Sequence, residues 1–113
     1  MTRVERTTPA IAAALEELGD RLRAHFGDRL LEYRLFGSHA RGEANEDSDV
    51  DVFVLLDEVT WTERRRIIDM ATDVGLGPEV RLAPTVFDRS TFERFQRQER
   101  PLATDIDRDG IRL

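Results

Sequence analysis

Residues 30–56 read LLEYRLFGSHARGEANEDSDVDVFVLL and hold the clearest structural pattern of the chain. Two apolar runs, 30–36 and 49–56, have the length and residue types of β-strands. Gly37-Ser38 interrupts the first run, and Ser38–Arg41 is long enough for one helical turn, which Gly42 would close. Residues 43–48 are polar. The stretch therefore predicts two strands joined by a short helical turn and a loop.

Side-chain alternation divides each predicted strand into two faces. In the first strand, Leu31, Tyr33 and Leu35 share one face, opposite Leu30 and Phe36. In the second strand, one face carries Asp49, Asp51, Phe53 and Leu55, and the other carries Val50, Val52, Val54 and Leu56. The first of these two faces begins with acids and becomes apolar along the strand. This change of character indicates a site at the start of the second strand.

Further elements are predicted on both sides of this pair of strands. Thr8 and Pro9 are typical of a helix start, and apolar residues at helical spacing continue to Phe26. Pro84 favours an edge position or a bulge for the third strand. The remaining predictions are a helix over 60–76, the third strand over 79–87, a short helix opening at Ser90-Thr91, and a last helical piece over 101–108.

Length and composition exclude several classes of function. The 113 residues suit one domain, which we place over 1–113 with residues 1–6 frayed. All 17 basic residues are arginine and there is no cysteine, which excludes disulfides, thiolate metal sites, a P-loop lysine and Schiff-base chemistry. The N-terminus lacks an apolar signal core, and no apolar run approaches the ~20 residues of a membrane helix. We expect a cytoplasmic protein without membrane contact.

The net charge of −6 comes from one segment of the chain. Residues 43–58 contain seven acids and no base, whereas the remaining residues carry 16 acids against 17 bases. An acidic protein binds nucleic acid poorly without sequence recognition, because that affinity comes from basic residues that neutralise phosphates. We therefore expect no direct non-specific binding of nucleic acid.

Asp49 and Asp51 are separated by one residue and point to the same side of their strand, about 7 Å apart along the chain. Two carboxylates on a rigid strand supply the oxygen ligands that Mg²⁺ prefers. Gly37 allows a close approach of the backbone to an anion, Ser38 adds a hydroxyl donor, and Arg41 could reach a second phosphate. Taken singly, each feature also fits a solvated strand start or an ordinary turn.

In combination these residues resemble a known family. Gly37-Ser-His-Ala-Arg-Gly42 followed by Ser48-Asp-Val-Asp51 is similar to the GSxxRG…SDxD pattern of the DNA polymerase beta-like nucleotidyltransferases, and in particular of the minimal nucleotidyltransferases (MNT). The resemblance implies an α+β fold, with a small mixed β-sheet flanked by helices. The reaction implied is transfer of a nucleoside monophosphate from a nucleoside triphosphate (NTP) to an acceptor.

The resemblance also implies roles for the residues of the pattern. Asp49 and Asp51 would be catalytic and would hold Mg²⁺, while Gly37 and Ser38 would hold the outer phosphates of the nucleotide. Arg41 would either contact phosphate or stabilise the turn. Ser48 would brace the loop so that Asp49 is correctly aimed.

The chain departs from the family pattern at two places. His39 stands where many members have arginine. The third acid that active members usually carry on the next core strand is missing, and Arg81 falls near its expected position. Glu79, two residues earlier, is the only weak candidate to replace it.

These features leave several functions open. The leading hypothesis is a Mg²⁺-dependent protein adenylyltransferase that transfers AMP from ATP to a hydroxyl of a partner. Its family setting would be the antitoxin of a toxin–antitoxin pair whose toxin is a HEPN-type RNase, and residues 43–58 would suit a basic partner surface. The alternative is a catalytically impaired module that neutralises its partner by contact. Transfer to a small molecule such as an aminoglycoside and a homo-oligomeric state also remain open.

Overall fold

A computed structural model describes residues 8–45 and 47–113. The predicted fraying of residues 1–6 lies outside these ranges. No helix in the described part of the chain combines the length and apolarity needed to cross a membrane. The elements are α1 (Pro9–Phe26), β1 (Leu30–Phe36), α2 (Ser38–Arg41), β2 (Val50–Leu56), α3 (Trp61–Leu76), β3 (Leu82–Asp88), α4 (Arg89–Arg97), α5 (Pro101–Asp109) and β4 (Ile111–Arg112).

Four strands form one mixed sheet in the order β3-β2-β1-β4. β1 pairs antiparallel with β2 and with β4, whereas β2 and β3 are parallel. The parallel pair is joined by α3, since parallel strands need a crossover connection. β3 is an edge strand, which agrees with Pro84. The predicted α+β class, with a small mixed sheet flanked by helices, is confirmed.

Helices cover both faces of the sheet. α1 and α3 pack on one face, and α4 and α5 pack on the other. The two faces of β2 follow the predicted alternation, because Val50, Val52 and Val54 join the α1/α3 core, whereas Phe53 and Leu55 join the α4/α5 core. Asp51 continues the line of Phe53 and Leu55, so the site begins where the α4/α5 core ends.

The predicted faces of β1 are wrong at the start of the strand. Leu30 packs with the α1/α3 core and Leu31 with the α4/α5 core, the reverse of the prediction. The cause is an irregularity in pairing with β2 between Leu30 and Glu32, which is typical of a β-bulge. One extra residue in a strand shifts its pairing by one position. All side chains on one side of the extra residue then point to the opposite face of the sheet.

The third strand begins at Leu82, three residues later than the predicted start at Glu79. Residues 77–81 instead form the turn that closes α3, in which the N–H of Val80 donates to the carbonyl of Gly75 at 2.9 Å. A Cβ on Gly75 would lie 2.1 Å from the oxygen of Val80, so this turn requires glycine. Glu79 has a φ of +57° and cannot continue a strand.

The C-terminal part of the chain also differs from the prediction. Helix α4 begins at Arg89 rather than Ser90, because Asp88 caps it by accepting a hydrogen bond from the N–H of Thr91 at 2.8 Å. Residues 111–112 form β4, a strand that the sequence did not predict. β4 pairs with β1 and completes the sheet on the side opposite to β3.

Helix α3 starts with a reciprocal capping box between Thr60 and Glu63. The N–H of Glu63 donates to Thr60 Oγ1 at 3.1 Å, and the N–H of Thr60 donates to Glu63 Oε1 at 3.0 Å. Arg29 also donates to Glu63 Oε2, at 2.6 Å, and ties this helix to the start of β1. Hydrogen bonds from Arg29, and then from the Thr60 backbone, lower the pKa of Glu63 to about 2.

We expect Glu63→Gln to remove part of the pH dependence of stability. Because the pKa of Glu63 is depressed in the folded state, its contribution is present above the unfolded value of 4.5 and is lost as the pH falls towards about 2. The melting temperature of the variant should lie below that of the wild type at pH 7, and the gap should narrow between pH 4.5 and pH 2. Thermal unfolding followed by circular dichroism measures this, with exposed Glu93→Gln as the control. A gap that stays constant across that range would contradict the assignment.

Candidate active site

The site lies where β1 ends and β2 begins. Phe36, the last residue of β1, pairs with Asp51 of β2, so Gly37 follows directly beside the Asp51 side chain. Gly37 has φ +74° and ψ −155°, a region that is essentially restricted to glycine. A Cβ at this position would lie 2.3 Å from Asp51 Oδ2. The chain therefore needs glycine here both for its backbone conformation and for the space that Asp51 occupies.

Asp51 is a partly buried carboxylate next to a second acid. Burial raises the pKa of Asp51 above its ordinary value, and the nearby charge of Asp49 raises it further. His39 and Arg41 act in the opposite direction. The ionised form of Asp51 is therefore costly in the absence of a cation, and a divalent cation bound at the two carboxylates would relieve that cost.

Asp49 lies one residue before β2 and forms an ion pair with Arg81. Asp49 Oδ1 lies 3.1 Å from Arg81 Nε, and the guanidinium of Arg81 also donates to the backbone carbonyl of Asp47. The strand register explains the contact. Asp51 pairs with Ala83 in the parallel β2–β3 ladder, so two residues earlier on both strands Asp49 stands beside Arg81.

Among the residues that the structure describes, no third acidic ligand joins this arrangement. Within residues 8–45 and 47–113, no group of three or more Asp, Glu or His side chains is placed to hold a metal. Arg81 stands beside Asp49, near the position where the family pattern predicts an acid. Glu79 remains in the turn before β3 and does not complete a cluster with the two aspartates. The site therefore offers two carboxylates and one guanidinium.

The loop between α2 and β2 is held by internal hydrogen bonds. Ser48 Oγ accepts from the N–H of Asn45 at 3.1 Å, and the N–H of Ser48 donates to the carbonyl of Asn45 at the same distance. These bonds agree with the bracing role expected of Ser48. His39 Nε2 lies 3.3 Å from the carbonyl of Ser48, so this partly buried side chain also supports the loop. No sequence pattern predicts that contact, because it joins two residues across the loop.

Arg41 has its own acidic partners. Its Nε lies 3.0 Å from Glu43 Oε2, and its NH1 lies 3.8 Å from Asp109 Oδ2 at the end of α5. These contacts favour the second of its expected roles, stabilisation of the turn. Arg41 and His39 also line a cavity of about 730 Å³ together with Ser48 and Arg81, and neither Asp49 nor Asp51 is among its lining residues.

The donor set fits one divalent cation. Asp49 is more than half exposed and Asp51 is partly buried, so a cation between them would keep access to water and to the oxygens of a ligand. Mg²⁺ typically binds through one or two carboxylates, several waters and substrate phosphates. The residues present meet this requirement for one ion, whereas a second ion would approach the positive charge of Arg81.

The sequence of this chain is similar to those of known proteins. The family model described as "Nucleotidyltransferase domain" matches residues 15–108. A protein of Methanocaldococcus jannaschii named "Putative protein adenylyltransferase MJ0141" is 38% identical over 69 residues, which cover 60% of this chain and 70% of that protein.

Comparison with solved structures agrees. The structure of a "putative minimal nucleotidyltransferase" matches with a TM-score of 0.64 and 27% identity, and the match covers 100% of this chain and 97% of the other. A toxin–antitoxin structure with AMP-PNP matches with a TM-score of 0.58 over 86% of this chain and 70% of the other. At 17% identity the second likeness concerns the fold alone. The sequence pattern, the fold and these matches together show that the chain belongs to the nucleotidyltransferase domain family and, within it, to the minimal nucleotidyltransferases.

Proposed function

We propose that this protein transfers AMP from ATP to a hydroxyl group of a partner protein. The observation that carries the proposal is the placement of Asp49 and Asp51 at the start of β2, with Asp51 against the Gly37 turn, in a chain of this family. In the reaction, the hydroxyl oxygen forms a bond to the α-phosphorus and loses its proton. The bond from the α-phosphorus to the bridging oxygen breaks, and pyrophosphate leaves.

The proposed roles of the residues follow from their positions. Asp49 and Asp51 would hold Mg²⁺, which when bound supplies charge neutralisation for the triphosphate and lowers the pKa of the attacking hydroxyl. Gly37 exposes its backbone without a side chain, and Ser38 adds a hydroxyl, so the outer phosphates would lie on this turn. Arg41 would keep the turn in place through Glu43 and Asp109.

We further propose that the acceptor is the HEPN-type RNase of a toxin–antitoxin pair in the cytoplasm, and that this chain is the antitoxin. The name of the M. jannaschii relative supports a protein acceptor, and a chain of the same fold occurs in a toxin–antitoxin structure with AMP-PNP. The acidic segment 43–58 includes both aspartates of the site and would complement a basic partner surface.

Labelled ATP tests this proposal directly. The protein is incubated with Mg²⁺, the HEPN-type product of the neighbouring gene, and ATP labelled either at the α-phosphate or at the γ-phosphate. We expect label on the partner from α-labelled ATP only, because adenylyl transfer retains the α-phosphate and releases the other two. Mass spectrometry of the partner should show the addition of AMP. Label from γ-labelled ATP would indicate phosphoryl transfer, and an unlabelled partner would contradict the enzyme hypothesis.

One observation favours a second candidate function, neutralisation of the partner by contact without catalysis. Arg81 replaces the expected acid and pairs with Asp49, so the full carboxylate set of an active site is not assembled in the described residues. This candidate predicts that Asp49→Ala combined with Asp51→Ala leaves partner affinity unchanged, with no transfer by the wild type. Titration calorimetry and the labelling experiment together separate the two functions.

A further inference from the structure

Arg81 has a specific geometric relation to one of the two proposed metal ligands. It stands beside Asp49 on the neighbouring parallel strand, and its Nε lies 3.1 Å from Asp49 Oδ1. A second donor of the same guanidinium reaches the carbonyl of Asp47. Two attachments to the segment that precedes β2 hold the positive charge directly over one Asp49 oxygen. A cation that binds Asp49 through that oxygen must displace Arg81.

The ion pair is placed where it can open. The Arg81 side chain is 65% exposed and that of Asp49 is 56% exposed. Exposed ion pairs are weak, because water solvates both partners well. In contrast, the Arg34–Glu32 pair within the sheet is largely buried, with side chains 12% and 18% exposed. We therefore expect the Asp49–Arg81 contact to open more easily than the buried pair and to contribute little to the stability of the fold.

We propose that Arg81 is an internal counter-cation that competes with divalent metal for Asp49. In the chain without nucleotide, Arg81 neutralises Asp49 and disfavours binding of a free metal ion. Metal then binds well only when the phosphates of a nucleotide supply further oxygen ligands and further negative charge. The proposal rests on the proposed function only for the position of the metal between Asp49 and Asp51.

The effect of Arg81 on metal binding is electrostatic. A divalent ion at Asp49 and Asp51 meets the charge of Arg81 at close range, and one of the two Asp49 oxygens is already engaged. Replacement of Arg81 by glutamine removes the charge and keeps a polar, though shorter, side chain. Replacement by lysine keeps the charge. The pair of variants therefore separates the charge of this residue from its shape.

Binding of Mn²⁺ alone, without nucleotide or partner, tests the proposal. Free Mn²⁺ is measured by electron paramagnetic resonance during titration of the wild type and of Arg81→Gln, Arg81→Lys and Arg65→Gln. Arg65 is an exposed arginine on α3 and controls for the change in net charge. We expect Arg81→Gln to bind Mn²⁺ about five-fold more tightly than the wild type, which corresponds to the upper end of the free energy of an exposed ion pair. Arg81→Lys and Arg65→Gln should stay close to the wild type.

Asp49 must mediate much of the gain. In an Asp49→Asn background, Arg81→Gln should give a clearly smaller increase in Mn²⁺ affinity, because the competition for that carboxylate is gone and only the repulsion between Arg81 and the metal remains. Equal affinities for Arg81→Gln and Arg65→Gln would overturn the proposal, as would a gain of undiminished size without Asp49. The Mn²⁺ titration uses neither ATP nor the partner, so its outcome does not depend on whether the protein transfers AMP. Melting temperatures of all variants confirm that each is folded.

Discussion

Asp51→Asn is expected to lower the rate of adenylyl transfer by about 10³-fold, the scale on which loss of a preorganised charge-stabilising group slows a reaction. Asp51 is fixed in β2 by its backbone pairing with Phe36, and its carboxylate lies against Gly37. Asparagine keeps the shape of the side chain and removes its charge. The proposed metal then loses one of its two carboxylates, and no third acid among the described residues can replace it.

Stability should move in the opposite direction to activity in this variant. The pKa of Asp51 is raised in the folded protein by burial and by Asp49, so its ionised form opposes folding at neutral pH without a cation. Asp51→Asn removes that charge, and its melting temperature without metal should equal or exceed that of the wild type. The α-label assay and thermal unfolding measure the two effects. Exposed Asp69→Asn on α3 is the control and should leave both unchanged.

A simultaneous fall in activity and melting temperature would indicate that Asp51 acts through the fold. A variant with normal transfer would exclude Asp51 as a metal ligand. The two measurements therefore distinguish a catalytic residue from a residue that only shapes the start of β2.

Gly37→Ala is expected to lower the free energy of unfolding by about 3 kcal/mol, the upper end of the cost of backbone strain of this kind. The backbone at Gly37 has a φ of +74°, and the added Cβ would lie 2.3 Å from Asp51 Oδ2. The turn or the carboxylate must therefore move. For a chain of this length the melting temperature should fall by roughly 10 °C, and adenylyl transfer should be lost with the displaced Asp51.

Gly42→Ala is a matched control for the Gly37 variant. Gly42 also has a φ of +74°, but a Cβ there meets nothing within 4 Å. Its cost should be about 1 kcal/mol, which is the left-handed strain alone. Transfer by Gly42→Ala should be largely retained. Equal losses for the two variants would show that neither the glycine-only backbone region of Gly37, with ψ −155° against 22° at Gly42, nor its contact with Asp51 adds to the strain found at Gly42.

The sequence predicted the elements whose patterns are local. The two strands around Gly37, the turn at Ser38–Arg41 and the capped helix after Thr60 each depend on neighbouring residues, and the structure contains all of them. The two faces of β2 were also predicted, because successive side chains of a strand point to opposite faces whichever strand it pairs with.

The features that were missed depend on contacts between distant parts of the chain. β4 has only two residues, and it is identified as a strand by its pairing with β1. The bulge near Leu31 is defined by register against β2. The Asp49–Arg81 pair requires the alignment of two strands separated by a helix. Because Glu79 has a positive φ, β3 starts later than predicted. Spacing along the sequence specifies none of these contacts.

The two edges of the sheet restrict how this protein can associate with others. On one side Pro84 lies within the outer strand and lacks an N–H, so the outward row of backbone donors is interrupted. On the other side β4 offers only two residues for pairing. Neither edge is a good template for strand addition by a second chain, which protects the monomer against edge-to-edge aggregation. We therefore expect partners to recognise side chains on the helices and loops rather than to extend the sheet.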